Sequence, residues 1–113
     1  KYTPDFKCAT DGNGKRLVNA NVGLLSYDEV VYAGGYYSQN NSNYYLNNSA
    51  NHWWTMSPAG VWGSSYAWIV LTTGDISFNI GIGTRAVRPV LNLTANTQIS
   101  DGNGTKENPF VVE

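Results

Sequence analysis

The 113-residue chain reads as an α+β domain: one short helix packed on a small, twisted, mainly antiparallel sheet, with long ordered loops between the elements. Three observations lead there. A single amphipathic helix signal stands near residue 27, several short runs rich in β-branched and aromatic residues follow it between glycine turns, and the stretch 36–51 has no charge and little periodicity.

Residues 1–25 alternate weakly around the turn sequence Asp11-Gly12-Asn13-Gly14, which would join a short strand near Phe6 to Cys8 with another near Leu17-Val18. The same turn recurs as Asp101-Gly102-Asn103-Gly104. Its alternating oxygens resemble the start of a calcium loop, but the later acidic ligands are missing, so turn chemistry is the reading taken. Ser26 and Glu29 then form a capping box, Asp28 adds favourable charge to the first turn, and Gly34 supplies the stop. Tyr27, Val30, Val31 and Gly34 fall on one side, which should face the sheet, with Asp28 and Tyr32 nearer solvent. Two turns of helix need tertiary support.

The stretch 36–51 is rich in tyrosine, asparagine and serine and reads as a long ordered loop. A second reading of Tyr44-Tyr45-Leu46, an irregular strand dropping into the core, stands beside it. His52-Trp53-Trp54-Thr55-Met56-Ser57-Pro58 should form a strand with its two indoles on opposite sides, stopped by the proline. Ala59 to Ser65 is expected as a glycine-rich connection carrying Trp62. Tyr66 to Thr72 and Ile76 to Ile80 make a hairpin about Thr73-Gly74-Asp75, and the polar Ser77 and Asn79 of its return strand mark a wet face. After the hinge Gly81 to Gly83, the run 84–93 places Val87, Pro89, Leu91 and Leu93 in one phase. Arg88, in the other phase, needs an indole to stack on or a carboxylate such as Asp28 or Glu29, and it either locks sheet to helix or recognises a ligand. Phe110-Val111-Val112, with Pro109 at its start, gives a last short strand.

The totals narrow the functions. A net charge of −1 with 13% charged residues argues against a nucleic-acid or anionic-membrane partner, both of which require a basic face. No apolar run approaches the roughly 20 residues of a membrane-spanning helix. Cys8 stands alone, so no internal disulfide and no thiolate metal cluster is expected, and no cofactor set is visible. The chain starts at Lys1 without an apolar leader, which reads as a processed form or a segment of a longer parent. The N-x-S/T matches at Asn40, Asn47, Asn92 and Asn103 are what chance gives in so asparagine-rich a chain.

Taken together, Gly23 to Gly35, Trp53-Trp54-Thr55-Met56-Ser57-Pro58, the aromatic hairpin and Arg85-Ala86-Val87-Arg88-Pro89-Val90-Leu91-Asn92-Leu93 resemble bacterial domains of the DUF6273 type, common in secreted and surface proteins. The order is also similar to the C-type-lectin-like fold of formylglycine-generating-enzyme-like and retroelement variable proteins. There a leucine-proline-threonine…glutamate helix start, a tryptophan-threonine-serine strand and a closing phenylalanine-arginine strand recur. The resemblance spans about residues 22–93 of a single domain 1–113. It implies scaffold roles for Ser26 and Glu29, for Trp53 to Pro58 on a central strand, and for Arg88. Several of the group's chemistries are missing their residues. Formylglycine generation needs a cysteine pair, the iron-dependent relatives need several histidines, and the calcium-dependent lectin strings Glu-Pro-Asn, Gln-Pro-Asp and Trp-Asn-Asp do not occur.

The function expected is therefore an extracellular or cell-surface binding or adhesion module without catalysis, recognising a glycan or a protein. The residues expected to carry it are Tyr36, Tyr37, Asn40, Asn41, Asn43 and Trp62, because exposed rings stack on apolar ligand faces while asparagine amides bond hydroxyls. The alternative is a structural spacer or assembly module with no ligand of its own. An enzyme is the least supported reading, since His52 has no carboxylate or nucleophile at a diagnostic spacing.

Overall fold

The structure, a computed structural model, describes Thr3, residues 22–47, 50–105 and 107–113. The turn at 11–14, the two strands expected beside it, and Cys8 lie outside the described residues. Among the described residues the order is β1 (Val22–Leu24), α1 (Tyr27–Tyr32), β2 (Trp53–Val61), β3 (Ser65–Val70), β4 (Ile76–Ile80), β5 (Pro89–Leu91), β6 (Ile99–Asp101) and β7 (Val111–Val112). The strands form small antiparallel sheets: β1 with β5, β2-β3-β4, and β6 with β7. One short helix against such sheets is the β-rich end of the α+β class.

The helix begins where its local chemistry dictates. Ser26 Oγ accepts from Glu29 N–H at 3.2 Å and Glu29 Oε2 accepts from Ser26 N–H at 2.7 Å, so the capping box closes in both directions. Gly34, at φ +116°, ends it. Val30 is fully buried and Tyr32 points to solvent, as the periodicity requires. The second Asp-Gly-Asn-Gly sequence also behaves as a turn. Asp101 Oδ1 accepts from Gly102 N–H, Asn103 Oδ1 accepts from Thr105, and the segment links β6 to β7.

The tryptophan strand corrects two expectations. It does not stop at Pro58 but continues to Val61, with its register against β3 shifting between Trp54 and Pro58 and again between Pro58 and Gly60. A bulge is a place where a strand tolerates a residue that cannot donate. Side-chain hydroxyls and a distant carbonyl do the pairing there: Thr55 Oγ1 donates to Trp68 O at 3.0 Å, Met56 N–H donates to Leu25 O at 2.9 Å, and Ser57 Oγ accepts from Tyr27 N–H at 2.9 Å. The strand is also not the central one. That place belongs to β3, while β2 has β3 on one side and a single parallel bridge, Trp53 to Ala86, on the other.

Trp53 and Trp54 do point opposite ways. Trp53 pairs with Val70 and Val70 with Ile76, so these three share a face, and Val30, Tyr44 and Leu46 cover them to make the core. Arg88 realises the indole alternative. Its guanidinium carbon lies 5.4 Å from the Trp53 ring centroid and its Nη1 donates to Leu46 O. Glu29 is occupied by the cap. Both readings of the long loop hold in part, since Tyr44 and Leu46 drop into the core while Tyr45 and residues 36–40 remain exposed.

The loop is tied to the β3–β4 turn at one close approach. Asn41 N–H donates to Thr73 O at 3.2 Å, and Gly74, at φ +81°, lies so near that a Cβ there would sit 1.8 Å from Asn41 O. A Gly74→Ala substitution should therefore cost at least about 2 kcal/mol in chemical denaturation, combining left-handed strain with a backbone clash. Gly23→Ala, where nothing lies within 4 Å of the added Cβ, should stay within about 1 kcal/mol of the parent.

Candidate functional site

Period-two alternation carries the core face of the sheet outward along β3 and β4. Val70 and Ile76 are buried, and the next pairs on the same face are Trp68 with Phe78 and Tyr66 with Ile80. These later residues are only partly covered, so their rings reach solvent. Phe78 is 36% exposed, whereas Ser77 and Asn79, on the face expected to be wet, are half-buried. Both faces of the return strand therefore reach solvent in part, and the apolar phase passes from buried Ile76 to exposed Phe78.

Six rings join along this face. Trp62, at the β2–β3 turn, folds over Gly60 and lies 5.5 Å from Tyr66 and 5.7 Å from Phe78, centroid to centroid. Phe78 meets Tyr66 and Trp68 edge to face, both at 5.8 Å. Trp68 in turn receives Tyr37 edge-on at 5.6 Å and Tyr27 tilted at 4.6 Å. Each pair is in the tilted or edge-to-face geometry that aromatic quadrupoles favour, so neighbours hold the exposed rings in position. Gly60 is required by this arrangement, because a Cβ there would come within 2.5 Å of the Trp62 ring.

The expected site residues divide accordingly. Trp62, 61% exposed, and Tyr37, 48% exposed, lie at opposite ends of the band and are joined through Phe78 and Trp68. Tyr36 is exposed, and its carbonyl accepts from Ile76 N–H at 2.8 Å, which fixes the loop beside β4. Asn40 and Asn43 are exposed on the loop. Asn41 has its amide committed: Nδ2 donates to Gly34 O at 2.6 Å and Oδ1 accepts from Asn43 N–H at 3.2 Å, so it braces the loop against the helix end. Sequence reasoning missed Tyr27, Tyr66, Trp68 and Phe78. The signal was present in the hairpin register, which pairs Trp68 with Phe78.

None of the six rings carries a formal charge. Burial, with smaller contributions from Asp28 and Tyr37, raises the ionisation of Tyr27 above the usual phenol value. The band can therefore offer apolar faces and phenol hydroxyls. His52 is elsewhere, with Nδ1 accepting from Thr72 N–H at 2.9 Å, the hydrogen-bonded role of a structural histidine. Among the described residues no three His, Cys, Asp or Glu side chains converge.

Comparison with known proteins matches the family described as Domain of unknown function (DUF6273) over residues 2–95, reaching further toward the N-terminus than the motifs did. No curated protein and no solved structure matches the chain.

Tyr44 anchors the loop in the core, and burial pushes its phenol up to about 12 against the lowering effect of Arg88, with Asp75 adding a smaller rise. A folded-state value above the unfolded one stabilises the fold fully below the ordinary phenol range, and this contribution disappears as pH rises from about 10 through about 12. An absorbance titration should show one tyrosine ionising last, concurrent with loss of near-ultraviolet circular dichroism. Tyr44→Phe should remove that last step.

Proposed function

The chain belongs to the DUF6273 family, and on the aromatic band that joins its two ring-bearing loops we propose that it is an extracellular or cell-surface binding module. The ligand is a glycan or a protein surface, and the domain performs no catalysis. One observation carries the reading: Trp62, Tyr66, Phe78, Trp68, Tyr37 and Tyr27 form a continuous run of ring contacts in which Trp62, Tyr37 and Phe78 remain exposed. Isolated exposed rings are ordinary on protein surfaces, but a connected set is not. Preorganised rings bind with little loss of side-chain entropy, and the amides of Asn40 and Asn43 stand on the adjoining loop for ligand hydroxyls or carbonyls. The formal neutrality of the rings favours a neutral ligand face.

The finer fold reading, a C-type-lectin-like domain, belongs to the same proposal. It is supported by the order of the capped helix, the tryptophan strand and the arginine that stacks on it, and by loops supported on a sheet. The spacer or assembly reading is favoured by a different feature. The β6–β7 hairpin exposes Ile99, Phe110, Val111 and Val112, which a neighbouring domain could cover.

A glycan array and a protein array, probed with the intact domain, test the binding reading. A hit should weaken by about 30-fold in Trp62→Ala and in Phe78→Ala, the usual effect of truncating a central aromatic contact. Trp62→Ala should hold stability within about 1 kcal/mol, because its ring is largely exposed. Hits that both variants retain at full strength would assign binding to another surface. Arrays without any hit, beside a parent protein that binds equally well without this domain, would leave the spacer reading standing.

A further inference from the structure

The β2-β3-β4 sheet ends on one side at β4, and part of that edge is unpaired. Along an edge strand, residues whose N–H and C=O bond the neighbouring strand alternate with residues whose groups point away from it. Asp75 O accepts from Leu71 N–H at 2.9 Å and Gly81 N–H donates to Ser65 O at 2.9 Å, so the odd-numbered positions serve β3. The backbone groups of Ile76, Phe78 and Ile80 therefore point outward. The long loop takes the first of these: Ile76 N–H donates to Tyr36 O at 2.8 Å and Ile76 O accepts from Ser38 N–H at 3.2 Å, one parallel rung of Tyr37 beside Ile76. Ser38, at φ +53°, then turns the loop back, and Gln39 bridges to Tyr36 instead of continuing beside Phe78. At the far end Ile80 O accepts from Gly83 N–H at 3.0 Å. Phe78 N–H, Phe78 O and Ile80 N–H have no hydrogen-bond partner among the described residues.

Open edges are commonly blunted by a charged side chain, a proline or a bulge, because each stops another strand from adding. This edge has none of these. No charged residue or proline stands between Ile76 and Gly83, and the register of β4 on β3 is unbroken. The open groups run donor, acceptor, donor, which a peptide backbone in extended form matches with acceptor, donor, acceptor at the strand repeat of about 3.3 Å per residue. A residue opposite Phe78 also turns its side chain to the face of the Phe78 ring, one rung beyond Tyr37. The aromatic band lies on that face, with Phe78 and Tyr37 both edge-on to Trp68.

We propose that β4 receives a short, uncharged, extended peptide as an added strand, its backbone on Phe78 and Ile80 and one apolar side chain against the Phe78 ring. This rests on the aromatic band being a binding surface and narrows its ligand to a polypeptide. A second copy of the chain fits the edge less well. Two β4 strands set antiparallel about Phe78 would bring Ile80 of each opposite Ile76 of the other, where Tyr37 already stands.

The test is an array of uncharged pentapeptides, acetylated and amidated at their ends, probed with the whole chain. Hits should carry an apolar or aromatic central residue and should give saturable shifts of the Phe78 and Ile80 amides in ¹H–¹⁵N NMR. One peptide N–H meets Phe78 O, so methylating that nitrogen should weaken binding by about tenfold, while methylating the two adjoining nitrogens, which point away from the edge, should cost less than about threefold. Ile80→Pro removes an outward donor and leaves the bonds to β3, and it should weaken the same peptides several-fold. The methylation series stands even if that variant fails to fold. No peptide hit, or equal loss at every methylated nitrogen, would overturn the proposal. A dimer in sedimentation whose Phe78 and Ile80 amides are protected without peptide would overturn it in favour of self-pairing. A glycan hit lost in Trp62→Ala, with the Phe78 and Ile80 amides unmoved, would overturn strand addition and leave the band as a binding surface.

Discussion

Two hydroxyls on β2 hold the point where the buried core passes into the exposed aromatic band. Thr55 Oγ1 bonds the carbonyl of Trp68, and Ser57 Oγ takes the N–H of Tyr27, so the two residues whose rings meet at 4.6 Å are both fixed by backbone from one bulged strand. Tyr27 N–H is one of the donors that a helix start leaves without an intrahelical acceptor. Satisfying it from β2 therefore docks the helix and positions the ring in one contact. The clamp adds to the burial of Val30 in holding a six-residue helix against the sheet.

From that point the sheet face runs in two directions. Toward the helix, Trp53, Val70 and Ile76 are covered by Val30, Tyr44 and Leu46, and Arg88 lies against the Trp53 indole while donating to the loop carbonyl at Leu46. One side chain thus ties the segment leading into β5, the tryptophan strand and the long loop together. Away from the helix, nothing among the described elements covers Trp68, Phe78 and Tyr66 to the same degree, and the rings brace one another instead. A fixed apolar surface at the edge of a rigid core is well suited to binding, because the ordering has already been done by folding.

What could be read from the sequence was local. The helix limits follow from Ser26, Glu29 and Gly34, all within one short segment, and the β3–β4 turn follows from Gly74. The need of Arg88 for an aromatic or acidic partner was also visible, because an arginine among alternating apolar residues has few alternatives. What could not be read depends on distant partners. Passage of β2 through Pro58 requires acceptors and donors from Leu25, Tyr27 and Trp68, which no local pattern around the proline announces. The commitment of the Asn41 amide to Gly34 O is likewise a product of how the loop returns. Of the expected site, the two ends, Tyr37 and Trp62, were legible as aromatic residues in polar loops. The middle was hidden because Trp68 and Phe78 look like core residues until the register shows how far along the face they lie.

The central claim is that one sheet face is core at Trp53 and open surface at Trp62. Fluorine NMR of protein carrying 5-fluorotryptophan, with a soluble paramagnetic agent added, measures it directly once each resonance is assigned by single Trp→Phe substitutions. Trp53, 2% exposed, should be the least broadened and Trp62, 61% exposed, the most, with Trp54 and Trp68 between them. A protected Trp62, or equal broadening of all four signals, would contradict the account.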